Sequence, residues 1–96
     1  MPTHRFDLSG KIALVTGAAG LLGLEHSAAL LECNATVVLT DISARQLADA
    51  KRKLNNEFPV ANILVYEMDV SSPEAIHSVQ TALSDQGVKI DILINN

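Results

Sequence analysis

Thr16-Gly17-Ala18-Ala19-Gly20-Leu21-Leu22-Gly23 follows directly on the apolar run Ile12-Ala13-Leu14-Val15. Three glycines recur at every third position where a buried strand ends and a helical pattern starts. Such a loop turns backbone N–H groups and a helix N-terminus toward a pyrophosphate. Each glycine serves a separate purpose there, namely a tight turn, close approach of the phosphate, and close packing of helix on strand. The expected contacts are Gly17, Ala19, Gly20, Leu21, Leu22 and Gly23. A second apolar run, Ala35 to Thr40, ends in Asp41. An acid roughly 20 residues beyond the first glycine is where a carboxylate accepts the ribose hydroxyls of NAD. A glycine loop alone is weak, and Asp41 could simply open a turn or cap the next helix. Strand, loop, helix and acid in this order favour the nucleotide.

Other candidate chemistry is sparse. His4, His26 and His77 have no cysteine or carboxylate at ligand spacing and read as surface or packing residues, His4 in a mobile tail. Asp69 and Asp91 could suggest paired carboxylates, but they end and begin different strands, and strand-end polar groups are the better reading. Cys33 falls near the carboxyl end of a helix, the unfavourable end of the dipole for a thiolate. No nucleophile–base pair presents itself.

The elements that must position the loop are legible from patterning. Helix one is expected over residues 20–33, with Leu21, Leu24, Ala28 and Leu31 on its buried stripe and Asn34 in the left-handed stop position. Strand two covers 36–40. Helix two starts at Ser43, whose hydroxyl caps it while Gln46 reaches back; it buries Leu47, Ala50 and Leu54, with Phe58 packing after the last turn and Pro59 at the exit. Strand three covers 62–68. Helix three is signposted by Ser72 as cap, Pro73 in the first turn, Glu74 near the positive end and Gly87 as stop, with Ile76, Val79 and Leu83 inward. Strand four covers 89–94. The unbroken apolar run of strand one, 11–16, indicates burial on both faces, as in a parallel sheet. The succession βαβαβαβ with right-handed crossovers predicts an α/β, three-layer, open parallel sheet of Rossmann type, one half of a doubly wound fold. The strand order expected is 3-2-1-4, with the glycine loop at the switch point between strands one and four. Residues 1–96 are read as one small domain.

Composition narrows the partners. Hydrophobic residues make up 48% of the 96 residues and aromatic ones only 3%, so the core must be aliphatic. A net charge of −4, with no basic cluster beyond Lys51-Arg52-Lys53, argues against nucleic acid. The single cysteine suits a reducing compartment, and neither an apolar leader nor a run of membrane-spanning length is present, so a cytoplasmic location is expected.

Nearly the whole sequence resembles the short-chain dehydrogenases/reductases. Leu8-Ser9-Gly10-Lys11-Ile12-Ala13-Leu14-Val15-Thr16-Gly17 is similar to their opening, Asp69-Val70-Ser71 to their adenine-contacting segment, and Asp91-Ile92-Leu93-Ile94-Asn95-Asn96 to the start of their Asn-Asn-Ala-Gly motif. The resemblance implies that Asp69 bonds the adenine amino group, that the Val70 backbone touches the ring, that Ile42 flanks it, and that Asn95 lies beside the ribose and braces the sheet. It implies an NAD(P)-dependent oxidoreductase moving a hydride between cofactor and an alcohol or carbonyl.

Two departures are informative. The compact branch of the family has glycine at position 21, where Leu21 stands, and the glycine at position 20 gives a spacing commoner in nucleotide-sugar epimerases and dehydratases. The family's tyrosine and the lysine four residues later have no match: the only tyrosine, Tyr66, lies in predicted strand three and position 70 is Val70. The catalytic residues would lie beyond Asn96. The resemblance therefore gives a cofactor-binding portion, the alternatives being a non-catalytic nucleotide-binding or interaction module or part of an epimerase or dehydratase. A methyltransferase half is disfavoured by the three-spaced glycines and the Asn-Asn pair. NAD is preferred over NADP, since Asp41 would repel a 2′-phosphate and the loop carries no Lys or Arg; Arg45 is expected to face solvent. The apolar edge of strand four, with Ile90, Ile92, Leu93 and Ile94, is expected to meet water or another chain and to support self-association.

Overall fold

The computed structural model describes residues 7–96, so His4 lies outside the described residues. Seven elements alternate: β1 (Ile12–Val15), α1 (Leu21–Glu32), β2 (Thr36–Asp41), α2 (Ala44–Glu57), β3 (Ile63–Glu67), α3 (Pro73–Asp85) and β4 (Ile92–Ile94). The four strands form one parallel sheet in the order β3-β2-β1-β4, as the sequence predicts. Val38 pairs with Leu14 on one side and Leu64 on the other, which sets the register across the sheet.

Successive strand residues point to opposite faces, and here both faces are covered. Val15, Val37, Leu39 and Ile63 pack under α1 and α2 with Leu31, Leu47, Ala50 and Leu54. Leu14 and Val38 pack on the other face with Met68 and with Val79 and Leu83 of α3. This is why β1 reads as an unbroken apolar run rather than an alternating one. The chain moves outward from β1 to β3, then crosses under the sheet through α3 to reach β4 on the far side of β1. The loop after β1 therefore stands at the reversal.

The helix termini follow local chemistry. Ser43 Oγ accepts the Gln46 N–H at 3.2 Å, and Ser72 Oγ accepts the Ala75 N–H at 3.2 Å with Pro73 in the first turn. Among the described residues the Gln46 side chain makes no bond back to Ser43, so that half of the expected capping box is absent. Asn34 takes φ 73° just after α1.

Two further expectations are corrected. Leu21 is not on the buried stripe of α1 but 76% exposed, because the face turned to the sheet is centred on Gly23, Ser27 and Leu31 and position 21 stands in the first turn beside the loop. Ser27 is fully buried, its hydroxyl satisfied by donating to the Gly23 carbonyl at 2.7 Å. Strand four is shorter than 89–94: Asp91 Oδ2 accepts the Ile12 N–H at 3.0 Å, a side chain standing where a ladder carbonyl would, so regular pairing begins only at Ile92.

Candidate functional site

The loop after β1 is pinned at each residue. Gly17 has φ +61°, a left-handed conformation that a side chain resists, and it turns the chain away from the strand. Ala18 N–H donates to the Thr40 carbonyl at 3.0 Å, Ala19 N–H to Asp41 Oδ2 at 3.0 Å, and Gly20 N–H to the Gly17 carbonyl at 3.1 Å. Gly23, one turn into α1, lies so close to the loop that a Cβ there would overlap the Gly17 carbonyl oxygen and come within 2.7 Å of Ala18 Cα. Gly20 caps α1 without any side-chain bond, and the first bond into the helix runs from Leu24 N–H to the Gly20 carbonyl. The N–H groups of Leu21, Leu22 and Gly23 thus have no acceptor within the helix, and they concentrate the positive end of its dipole. The donor set suits an anion. The glycine at 20 rather than 21 causes no steric conflict, because the Leu21 side chain projects into solvent.

Beside the loop, Thr16, Gly17, Asp41, Ile42, Met68, Asp69, Val70 and Asn96 line an open cleft. Five of the sequence-predicted residues meet here: Gly17, Asp41, Ile42, Asp69 and Val70. Ile42 and Val70 are large apolar side chains left 64% and 54% exposed on its walls. Met68 is buried, and its N–H donates to the Asp41 carbonyl at 2.8 Å, tying the segment after β3 to the end of β2. The Asp69 carboxyl is held below the usual carboxylate range by the hydroxyl of Ser71 and then by its N–H, both donating to Oδ1. Among the described residues Oδ2 of Asp69 accepts no hydrogen bond and is open to a donor.

Asn95 is placed differently. Its Oδ1 accepts from Thr16 Oγ1 at 3.0 Å, and it lines a neighbouring apolar groove with Val70, Ile90 and Leu93. Asn96 is the asparagine on the cleft: its N–H donates to Thr16 Oγ1 at 3.1 Å and its Nδ2 to the Thr16 carbonyl at 2.9 Å. Thr16, with its own N–H on the Ile94 carbonyl at 2.9 Å, joins the ends of β1 and β4 and so orients the loop's first residue. Sequence reasoning named neither Thr16 nor Asn96 as a site residue. A hydroxyl residue at a strand end, opposite a doubled asparagine on the neighbouring strand, was the available signal.

The remaining candidates are dispersed. Asp91 bonds the amino end of β1 while Asp69 follows the carboxyl end of β3, so the two carboxylates do not pair. Tyr66 lies in β3, and its hydroxyl accepts from Gln86 Nε2 at 2.7 Å. His26 and His77 are exposed on α1 and α3, and among the described residues no group of three His, Cys, Asp or Glu is placed to hold a metal. Cys33 is the C-cap of α1, and no helix among the described residues is long and apolar enough to cross a membrane.

An open parallel α/β sheet whose glycine loop and acidic strand end meet at the reversal defines a Rossmann-type nucleotide-binding architecture. Residues 11–96 match the family model for short chain dehydrogenases. The chain is 35% identical over 89 residues to the 15-hydroxyprostaglandin dehydrogenase [NAD(+)] of Bos taurus, covering 93% of this chain and 34% of that protein. It superposes on the Pseudomonas aeruginosa RhlG/NADP active-site complex with a TM-score of 0.83 and 32% identity, over 95% of this chain and 36% of the other. An NAD+-bound xylitol dehydrogenase gives a TM-score of 0.77 and 34% identity, over 94% and 33%. The chain belongs to the short-chain dehydrogenase/reductase family and carries its NAD(P)-binding region, spanning about a third of the length of these relatives.

Proposed function

We propose that this chain binds the adenosine diphosphate portion of NAD at the carboxyl end of its sheet. Gly17, Ala19, Gly20, Leu21, Leu22 and Gly23 form the pyrophosphate cradle, Asp41 receives the ribose hydroxyls, and Ile42 and Val70 flank the adenine. Asp69, through its open oxygen, takes the adenine amino group, while Asn95 holds the sheet beneath the ribose through Thr16. The bound dinucleotide would supply hydride chemistry in a complete oxidoreductase. This chain's residues bind and orient it: Tyr66 is engaged within the sheet surface and no lysine follows it at the required spacing. Binding without turnover is therefore its expected contribution. A dehydrogenase activity sustained over many turnovers by this chain alone would contradict that division of labour.

The observation that carries the reading is Asp41 at the end of β2, on the same cleft as Gly17 and Asp69. A carboxylate there favours NAD over NADP, because a 2′-phosphate would meet like charge and Arg45 is exposed on α2. Calorimetric titration tests it: saturable binding of NAD, with NADP weaker by about tenfold or more, and a reduced preference in Asp41→Ala. Absence of binding of either cofactor to the folded chain would refute it. A cytoplasmic location, consistent with the single cysteine, and self-association along the β4 edge belong to the same proposal.

A further inference from the structure

We infer that Asp41 also braces the phosphate loop through the Ala19 N–H, so that it acts on phosphate binding as a positioning residue as well as on the ribose. The inference rests on the proposed dinucleotide site. Both carboxylate oxygens are engaged by backbone: Oδ2 accepts the Ala19 N–H at 3.0 Å and Oδ1 the Ile42 N–H at 2.7 Å. The loop's other amides are held by main chain, Ala18 by the Thr40 carbonyl and Gly20 by the Gly17 carbonyl. Ala19 alone of these three is held by a side chain, midway between the left-handed Gly17 and the helix-capping Gly20. Ala19 is half-buried, so its N–H without an acceptor would be an unsatisfied donor. The loop would turn to satisfy it. Because Gly20 opens α1, that turn re-aims the amides of Leu21, Leu22 and Gly23 that face the phosphates.

Charge and bracing make opposite predictions. Removing a carboxylate next to a pyrophosphate relieves repulsion and should strengthen phosphate binding; removing a brace should weaken it. A nucleotide without ribose hydroxyls isolates the two, since Asp41 then has nothing to receive from the sugar. The probes are ADP and 2′,3′-dideoxy-ADP, titrated into the wild-type chain, Asp41→Ala and Asp41→Asn. Asn keeps one acceptor oxygen for the Ala19 N–H while losing the charge. The expected result is that Asp41→Ala binds dideoxy-ADP at least about threefold more weakly than wild type, and that Asp41→Asn recovers most of the loss. Dideoxy-ADP bound by Asp41→Ala as tightly as by wild type, or more tightly, overturns the inference. Amide hydrogen exchange at Ala19 without nucleotide gives an independent reading: about tenfold faster exchange in Asp41→Ala supports the brace, and unchanged exchange refutes it. If the wild-type chain binds neither nucleotide, the site assignment itself falls, while the exchange rates still decide whether Asp41 holds the loop.

Discussion

Gly23 and Gly20 occupy equivalent places in the spacing but different places in the packing. A methyl group at Gly23 would meet backbone, the Gly17 carbonyl oxygen and Ala18 Cα, rather than the far end of a flexible side chain, so the main chain itself would have to shift. At Gly20 the nearest heavy atom to a new Cβ is the Gly17 carbonyl oxygen at 3.4 Å, and φ is −76°, which any residue adopts. Gly23→Ala should therefore destabilise the fold by about 2 kcal/mol or more, read as a lower urea midpoint at constant slope. Gly20→Ala should leave stability within about 1 kcal/mol yet weaken NAD binding, if Gly20 belongs to the proposed pyrophosphate cradle. A Gly23→Ala chain as stable as wild type would contradict the packing argument, and a Gly20→Ala chain with unaltered NAD affinity would contradict the phosphate assignment. The spacing of the glycines was legible in sequence. Which of them is closed to a side chain was not, because that depends on how closely α1 approaches β1.

At the scale of elements, capping carries much of the definition. Ser72 accepts the Ala75 N–H, Pro73 fixes the first turn and Glu74 lies near the positive end of α3. Ser72→Ala should lower stability by about 1 kcal/mol, and Ser72→Asp should restore it; thermal unfolding of the three chains decides, with equal midpoints counting against the cap. α1, by contrast, begins at Gly20 with no side-chain acceptor, leaving its amides available. This contrast explains what sequence reading recovered. Helices two and three announce themselves by cap, stripe and stop, and Leu47, Ala50, Leu54, Val79 and Leu83 are buried as the periodicity predicts. Helix one misled at Leu21, because in an apolar helix (LLGLEHSAALLE) hydrophobicity does not single out one face, and the buried face is chosen by the small residues Gly23 and Ser27. The apolar pattern carries strand four back to residue 89 because it does not show that Asp91 replaces a ladder bond with its own carboxylate. Long-range polar contacts such as Thr16 with Asn95 and Asn96 have no local periodicity to betray them.

At the scale of the sheet, its two sides are unequal among the described residues. β3 ends the sheet beside α2, whereas β4 closes the other side with only three paired residues. Ile92 and Ile94 of β4 are half-buried, but Leu93 is 63% exposed and continues an apolar groove through Leu14, Ile76, Val79 and Ile90 on the α3 face. Apolar side chains beside unpaired strand backbone invite pairing with another chain, and a net charge of −4 offers only modest repulsion against it. Self-association of the chain should therefore increase with concentration and run through this edge. Leu93→Lys places a charge where a second strand would have to bury it, without disturbing a core residue, and β4 would keep its pairing to β1. Sedimentation velocity should then show concentration-dependent species for the wild type and a monomer for Leu93→Lys, with unfolding midpoints alike. A wild-type chain that stays monomeric at high concentration, or a variant that associates just as strongly, would place the apolar edge outside any self-interface.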